Sequence, residues 1–391
     1  MHATSQILTA LADELVALRR DIHAHPELSW NEQRTTSLVA DRLAAAGIRH
    51  ERLSRTGVIA EVGSEGPVVA LRGDLDALPL EDRSGLPWAS TVTGVAHACG
   101  HDVHTSALLG AALTLQGLHE RGELRGRVRL FFQPAEEVMP GGALEVVAAG
   151  GLEDVVSVFA LHCDPSVDVG QVGLREGPVT GAADSLVVHL SGRGGHSSRP
   201  HLTEDLTFAL GKLLTELPAV LSRRIDPRAG ASVVWGHVEA GVAPNVIPVE
   251  GRMSGTVRML DVQAWASAEE VVRRAVGQLA EPYGVEAVVH YTRGVPPVDN
   301  DPAATAVLRR AALTVLGPDG AVPTVQSLGG EDFGWYLRHV PGALARLGTR
   351  TPGGRTYDLH QGDLVVDERA IGIGAALLAE TAVEALAAAS A

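Results

Sequence analysis

Short runs of β-branched and apolar residues recur through the first part of this chain, with helical stretches between them. Runs of this kind occupy residues 58–62, 68–71, 128–132 and 155–161, and the stretch 105–119 has helical character. Strands that alternate with helices form crossover units, in which parallel strands build a sheet that helices cover on both faces. The pattern predicts an α/β domain with a mainly parallel sheet.

Two helices are predicted before these strands. Within the first 20 residues, apolar side chains recur at helical spacing and are interrupted by Asp13 and Glu14. This spacing is typical of an amphipathic surface helix and not of a signal peptide. A second helix is predicted over residues 31–46, ending at Gly47, because glycine favours the left-handed conformation that closes helices.

A different pattern begins near Leu186. The strand candidates LVVHL, ASVVWGHVEA and EGRMSGTVRML alternate more strongly between apolar and polar residues than the earlier runs do. Two long helical candidates, 203–223 and 262–279, accompany them. Strands of this type together with helices of this length indicate an α+β insertion.

The earlier alternation of helix and strand resumes at about Gly294, and an alanine-rich helix begins at Asp367. We therefore predict one α/β domain formed by residues 1–181 and 293–391. A smaller α+β domain at residues 182–292 interrupts it.

Composition and charge exclude several classes of protein. With 45% apolar and 20% charged residues among 391, the chain is predicted to be a soluble globular enzyme and not a disordered chain. Its 32 Lys and Arg against 47 Asp and Glu give a net charge of −15, which disfavours nucleic-acid binding. No uninterrupted apolar run of about 18 residues occurs, so no membrane span is expected. The two cysteines, Cys99 and Cys163, are too few for a disulfide framework and favour a reducing, cytoplasmic compartment.

Polar side chains cluster where the predicted strands end. They are Asp74 and Asp76 after the second run, Glu136 and Glu137 after the third, and His162 after the fourth. The segment AHACGHDVHT, just before the helix 105–119, adds Cys99 and His101. In open α/β sheets, ligands bind outside the carboxyl ends of the strands. Thiolate, imidazole and carboxylate groups that converge on one edge are what a transition-metal site requires, so their joint placement predicts a metal site.

Two other motifs do not predict function. The stretch LVVHLSGRGGHSS has the form of a strand before a phosphate-binding loop, but Ser197 replaces the third glycine of the dinucleotide pattern. Gly211 and Lys212 lack the remaining residues of a P-loop, and no G-x-S-x-G elbow of a serine hydrolase is present. Nucleotide binding and serine-hydrolase chemistry are therefore disfavoured.

The chain resembles a family of dinuclear metallohydrolases that includes hippurate hydrolases, N-acyl-L-amino acid amidohydrolases and auxin-conjugate hydrolases. These are more distantly related to carboxypeptidase G-type peptidases. The resemblance extends in order over nearly the whole chain and rests on the segments RRDIHAHPELSWNE, RGDLDALP, HACGHDVHT, QPAEE, ALH, GRGGHSSRPH, APNVIPVEG, SGTVR, GGEDF and DLHQGDLVVDERA.

The resemblance implies a dinuclear metal centre in the α/β domain. The metal ligands that it implies are Cys99, His101, Glu137, His162 and His360. It further implies that Glu136 is the general base and that Asp76 is an acid that orients the site. For Glu136 and Glu137 both to face the metals, a turn is expected after Pro134, because neighbouring residues of an extended segment point to opposite sides.

For the α+β insert, the resemblance implies the roles of a lid and a dimerisation domain. His196 is then expected to reach the active site of the neighbouring subunit and to polarise the scissile carbonyl. Asn245 and Arg258 are expected to bind the carboxylate of the substrate. The alternatives are that His196 is an exposed loop residue and that Arg258 is a surface arginine. A homodimer formed through the insert is expected.

Three departures from the family pattern concern the substrate. Val103 stands where a small residue is usual, Gly330 replaces the serine common before EDF, and the tail TPGGRTYDLHQGD differs around the last ligand. None of them removes a ligand or the base. They leave the shape of the acyl pocket open.

The expected cofactor is a pair of divalent metal ions. A thiolate ligand favours zinc, and the imidazole and carboxylate groups would also accept manganese or cobalt. Glu136 is expected to take a proton from the attacking water and to deliver it to the leaving nitrogen. The expected reaction is hydrolysis of N-acyl amino acids, including acetyl and aroyl conjugates. A dipeptidase or carboxypeptidase with the same site, and a catalytically silent metal-dependent binding protein, are the alternatives.

Overall fold

The computed structural model describes residues 3–390 of the chain. These residues divide into two compact units. The first comprises the described residues of Met1–Val179, Asn300–Val325 and Asp332–Ala391, and the second comprises Thr180–Asp299 and Gln326–Glu331. The insert predicted at residues 182–292 lies inside the second unit. That this unit is a lid and a dimerisation domain stays a prediction.

Helices and strands follow one another along the described residues. The α-helices are α1 (Ala3–Ala24), α2 (Gln33–Ala45), α3 (His101–Glu120), α4 (Ala143–Ala148), α5 (Leu206–Arg224), α6 (Val262–Ala280), α7 (Pro302–Leu316) and α8 (Arg369–Ala389). The strands are β1 (Arg49–Arg52), β2 (Val58–Val62), β3 (Val68–Asp74), β4 (Arg127–Gln133), β5 (Val155–Asp168), β6 (Val172–Leu174), β7 (Gly177–Pro178), β8 (Ala182–Ser191), β9 (Gly195–His196), β10 (Ser232–Ala240), β11 (Val246–Ile247), β12 (Glu250–Met259), β13 (Glu286–Val295), β14 (Asp299–Asn300), β15 (Ala321–Pro323) and β16 (Gly342–Arg350).

An eight-stranded sheet forms the centre of the first unit, with the strand order β1-β2-β4-β3-β5-β16-β6-β15. Its four middle strands, β4, β3, β5 and β16, are parallel to one another, and β1 and β2 continue it as antiparallel strands. All seven residues of β3 are buried, so both faces of the sheet are covered at this strand. The predicted α/β class with a mainly parallel sheet is confirmed.

Helix α8 packs against α1, α3 and α7 in the core of the first unit. By length and composition it is the one helix among residues 3–390 that would be able to cross a membrane, and 61% of its most apolar window is buried inside the protein. The alanine residues let it approach its neighbours closely, and Ala375 faces Gly110 of α3. Its apolar surface is therefore used in helix packing.

The second unit contains a four-stranded antiparallel sheet with the order β10-β12-β8-β13. Helices α5 and α6 pack against each other and against this sheet. Buried and exposed residues alternate along β8, which is typical of a sheet with one face in the core and one in solvent. Both helices begin at an aspartate, Asp205 and Asp261, whose side chain accepts a backbone N–H of the first turn.

Two predicted elements differ from the structure in ways that affect the site. Helix α3 begins at His101, four residues before the predicted start, and the polar residues of its first turn are buried. Strand β5 continues to Asp168, because it pairs with β16 up to Arg350. His162 therefore lies within a strand and not after one.

Candidate metal centre

The loop that carries Cys99 and His101 is shaped by the glycine between them. Gly100 has a φ of 88°, and a Cβ atom at this position would lie 2.8 Å from Sγ of Cys163. A side chain is therefore excluded both by the backbone conformation and by the close approach to Cys163. Nδ1 of His101 donates to the backbone oxygen of Asp76 over 2.9 Å, which leaves Nε2 for a ligand.

The segment after β4 makes a turn that is held by two buried carboxylates. Ala135 adopts the left-handed conformation with a φ of 52°, and its N–H donates to Glu32 over 2.8 Å. The next two N–H groups, of Glu136 and Glu137, donate to the two oxygens of Asp76 over 3.0 and 2.9 Å. The turn expected after Pro134 is therefore present.

This turn directs both glutamates toward the same imidazole. Nε2 of His101 lies 4.0 Å from Oε2 of Glu136 and 3.8 Å from Oε1 of Glu137. These distances are too long for hydrogen bonds and leave space between the groups.

Two more histidines face these groups. Nδ1 of His162 donates to the backbone oxygen of Cys163 over 2.8 Å, and its Nε2 lies 3.5 Å from Sγ of Cys99. His360 follows β16 in a left-handed conformation, and its N–H donates to the backbone oxygen of Ala98 over 2.8 Å. Its Nε2 lies 3.4 Å from Oε1 of Glu137.

The donor atoms form small groups in which all of them lie within 4.8 Å of one another. The groups are Cys99, His101 and His162; Cys99, Glu137 and His360; and His101, Glu136 and Glu137. Among the described residues, neither Nε2 of His101 nor Oε1 of Glu137 makes a hydrogen bond of normal geometry, although both atoms are buried. One thiol, three imidazoles and a carboxylate, of which Cys99, His101 and His162 are buried and His360 is exposed, form a donor set that fits transition-metal ions.

Burial shapes the protonation of these groups. Burial raises the pKa of the Cys99 thiol well above its ordinary value, and the Glu137 carboxylate adds to the effect. Burial, together with the charge of Arg346, holds the pKa of His162 well below its ordinary value. His162 is therefore in the neutral form that binds metals, and a bound cation would favour the thiolate of Cys99.

The pKa of His101 is raised, in contrast to the lowered pKa of His162. Burial alone lowers the pKa of His101, but the Asp74 carboxylate outweighs it and the pKa lies well above its ordinary value. The nearby Glu137 carboxylate also raises the pKa of His360 above its ordinary value. The cluster thus attracts positive charge, which protons or metal ions can supply.

The structure also brings in residues to which the sequence analysis assigned no role. Nδ1 of His104 lies 2.6 Å from Oδ1 of Asp74, and Arg72 forms ion pairs with both Asp74 and Asp332. The sequence pattern placed Asp74 and His104 near the cluster but did not say what they contact. Glu32 belongs to the segment HPELSWNE, whose match to the family pattern was the only signal for it.

Three residues with predicted roles lie in the second unit. His196 is exposed, and its Nδ1 accepts the N–H of Ser198 over 3.1 Å. Asn245 is exposed, and its backbone oxygen accepts the N–H of Ser197. Arg258 donates to the backbone oxygen of Leu328. Their relation to the ligand cluster stays a prediction.

Comparison with known proteins gives a consistent result. The sequence pattern of "Peptidase family M20/M25/M40" matches residues 70–384. An N-acetyl-L-cysteine deacetylase of Bacillus subtilis is 38% identical over 371 residues, which cover 93% of this chain and 86% of that protein. A crystal structure of another Bacillus subtilis protein, described as a dinuclear metal binding peptidase from the M20 family, has a TM-score of 0.84 and 35% identity and covers 97% of this chain and 99% of its own.

A further relative is longer than this chain. The Rhodococcus jostii protein named "Putative glutamate--cysteine ligase 2-3" is 49% identical over 360 residues, which are 92% of this chain. The chain spans 45% of the length of that relative. The predicted family and enzyme class are confirmed by these matches: the chain is a metal-dependent hydrolase and belongs to peptidase family M20/M25/M40.

Proposed function

We propose that this chain binds two divalent metal ions and hydrolyses the amide bond of N-acyl amino acids. The observation that carries the proposal is the overlap of the donor groups formed by Cys99, His101, Glu137, His162 and His360, with Glu136 beside His101 and Glu137. Five protein ligands for two ions leave coordination positions open, which a catalytic site needs. Because the thiol of Cys99 belongs to two of the three donor groups and thiolates favour zinc, zinc is the proposed metal, with manganese or cobalt as alternatives.

The proposed mechanism assigns separate tasks to the metal ions and to the side chains. When bound, the ions lower the pKa of water toward about 7 and polarise the carbonyl oxygen of the substrate. Glu136 takes the proton from the attacking water and passes it to the leaving nitrogen. Asp76 keeps Glu136 in place by accepting its backbone N–H. Acid–base catalysis of this kind contributes about 10²- to 10⁴-fold to the rate.

His196 is proposed to donate a hydrogen bond to the carbonyl oxygen. Its Nδ1 accepts the N–H of Ser198, so the ring proton of the neutral imidazole is on Nε2 and can be donated. Such a donor stabilises the developing negative charge by a few kcal/mol, about 3 in measured cases. In a homodimer, His196 would serve the site of the neighbouring subunit.

Arg258 and Asn245 are proposed to bind the free carboxylate of the substrate. A guanidinium has five N–H donors in a planar fork, and the carbonyl of Leu328 occupies only part of this capacity in Arg258. The remaining donors suit a carboxylate. The name of the Bacillus subtilis deacetylase supports an N-acyl amino acid as the substrate class.

The homodimer is proposed to form through the second unit. Strand β10 lies at the edge of its sheet, where Val234 and Val238 are exposed. An exposed apolar edge strand is suited to pairing with a second copy.

The free Cys99 and Cys163 support the cytoplasm as the proposed compartment.

The central test is Glu136→Gln with N-acetyl and N-benzoyl amino acids as substrates and zinc, manganese or cobalt added. We expect a rate loss of about 10²- to 10⁴-fold with two metal ions still bound. The exposed Glu123→Gln serves as the matched control and should retain full activity. If Glu136→Gln leaves turnover unchanged, the enzyme mechanism is wrong.

The family description also supports a dipeptidase or carboxypeptidase as the second candidate. Comparing the turnover of acetyl-amino acids with that of dipeptides bearing a free amine separates the two. Faster turnover of the dipeptides would favour the peptidase.

The role of His196 across the dimer can be tested by mixing two inactive variants, Glu136→Gln and His196→Ala. If His196 serves the neighbouring site, each mixed dimer contains one intact site, and an equal mixture after subunit exchange, in which half of the dimers are mixed, recovers about one quarter of wild-type activity. If each site uses its own His196, no activity returns.

Val234→Lys on β10 should shift the protein toward monomer in analytical ultracentrifugation.

A further inference from the structure

The imidazole of His104 lies beside the ligand cluster, but both of its nitrogens are engaged. Nε2 of His104 accepts the backbone N–H of Cys163 over 2.8 Å, so this nitrogen carries no proton. The proton is therefore on Nδ1, which donates to Oδ1 of Asp74 over 2.6 Å. Although His104, Asp74 and His101 are close enough to hold an ion, His104 has no nitrogen left for one.

Cys163, the residue whose backbone N–H His104 accepts, also holds His162 through its carbonyl group. The carbonyl oxygen of Cys163 accepts the Nδ1–H of His162 over 2.8 Å. This hydrogen bond fixes the tautomer of His162 and turns its Nε2 toward Sγ of Cys99, 3.5 Å away. The rings of His104 and His162 pack edge to face, with their centroids 5.0 Å apart.

Asp74, which accepts the proton of His104, is itself fixed. Its carboxylate pairs with Arg72 over 2.5 Å, and both side chains are fully buried. Its backbone oxygen accepts the hydroxyl of Thr105 over 2.7 Å. The ring of His104 is therefore held at both ends by groups that cannot move independently of the sheet.

We infer that His104, oriented by Asp74, is a positioning residue that sets the tautomer and orientation of His162 for metal binding. The inference rests on the proposed role of His162 as a ligand. Metal-bound histidines commonly donate their second nitrogen to a backbone carbonyl, and losing such partners costs about 10- to 100-fold in metal affinity. Here the carbonyl belongs to Cys163, the same residue whose backbone N–H is held by His104.

Two substitutions separate the contacts of His104. His104→Asn keeps a donor near Asp74 and removes the acceptor for the N–H of Cys163. His104→Gln places its amide oxygen where Nε2 stood and keeps that acceptor. In competition between the metal-free protein and a chromophoric chelator for zinc, we expect the Asn variant to bind one of two ions about 10- to 100-fold more weakly. The Gln variant should stay within about threefold of wild type.

Thr114→Val on the same helix is the matched control, because it removes a buried hydroxyl that bonds to the oxygen of Gly110 and contacts none of the ligands. It should lower thermal stability without changing zinc affinity. If His104→Asn binds both ions as tightly as wild type, or if the Asn and Gln variants lose affinity equally, the inference is wrong. If wild type itself binds fewer than two zinc ions, the proposed function fails instead.

A second measurement does not depend on the variants being stable. In ¹⁵N NMR spectra of wild-type protein with labelled histidines, His104 is expected as the Nδ1–H tautomer, with Nε2 unprotonated, in both the metal-free and the zinc-loaded protein. Its signals are assigned by selective unlabelling around the His104–Thr105 pair, or by their loss in His104→Gln where that variant folds. A proton on Nε2 of His104 would overturn the inference.

Discussion

The carboxylate of Asp76 accepts the backbone N–H of Glu136 over 3.0 Å, so the acid after one strand sets the position of the proposed base after the next. Its second oxygen accepts the N–H of Glu137 and the hydroxyl of Ser29. A single buried carboxylate thereby orients the proposed base and one proposed ligand together. Substitutions at this position should affect catalysis and metal binding at the same time.

Asp76→Asn is expected to lower kcat by about 100-fold, because its amide group offers only one acceptor oxygen for the two N–H groups and a displacement of about 1 Å can cost this much. The measurement is kcat together with zinc affinity. Asp363→Asn, which loses only a surface pair with Arg355, is the control. Unchanged kcat in Asp76→Asn would contradict the role assigned to this carboxylate.

Gly100→Ala is expected to impair zinc binding and to destabilise the protein. A left-handed conformation costs a non-glycine residue about 1–2 kcal/mol, and the added Cβ would also collide with Sγ of Cys163. Gly94→Ala is the matched control, because Gly94 has a φ of 72° and open space around it. Both variants should lose thermal stability, but only Gly100→Ala should lose zinc. Equal zinc affinities would mean that the approach of Gly100 to Cys163 does not shape the site.

The two cysteines are expected to respond differently to substitution. Cys99→Ala removes a proposed ligand of both ions, and zinc should then no longer raise the thermal unfolding temperature. For wild type, zinc at 100 times its Kd should stabilise the folded protein by about 2.7 kcal/mol, and a chelator should abolish this gain. Cys163→Ala should keep the zinc-dependent gain, since the Cys163 side chain packs on Gly100 and only its backbone contacts His162. A zinc response in Cys99→Ala would rule Cys99 out as a required ligand.

Asp367 gives a pH-dependent contribution to stability. Its hydrogen bonds with Arg369, followed by those from the Arg369 N–H and the Thr351 hydroxyl, lower the pKa of Asp367 to about 2. Because the folded pKa is depressed, the contribution is complete above the unfolded value near 3.8 and is lost as the pH falls toward 2. The difference in thermal stability between wild type and Asp367→Asn should therefore be constant above about pH 5 and shrink below pH 4. Arg369→Gln should weaken this pH dependence, and a difference that grows in acid would refute the assignment.

Much of the fold follows from local sequence patterns. Strand β2 has the predicted bounds, and α6 begins at the predicted residue, because a run of β-branched residues and an aspartate cap each act over a few neighbouring residues. The ligand types and their order along the chain also follow from the sequence, since thiol, imidazole and carboxylate chemistry belongs to the residues themselves. The predicted family is confirmed because the family match also depends on the order of these residues along the chain.

Only the tertiary structure decided how these groups are held. Ala135 takes a left-handed conformation because its N–H meets Glu32, which is 103 residues away in the chain, and Glu136 is oriented by Asp76, which is 60 residues away. His104 acquires its contact to Cys163 only when α3 packs on β5. Local propensity carries no information about partners at such separations, because a buried N–H or imidazole is satisfied by whichever acceptor the packed strands bring to it.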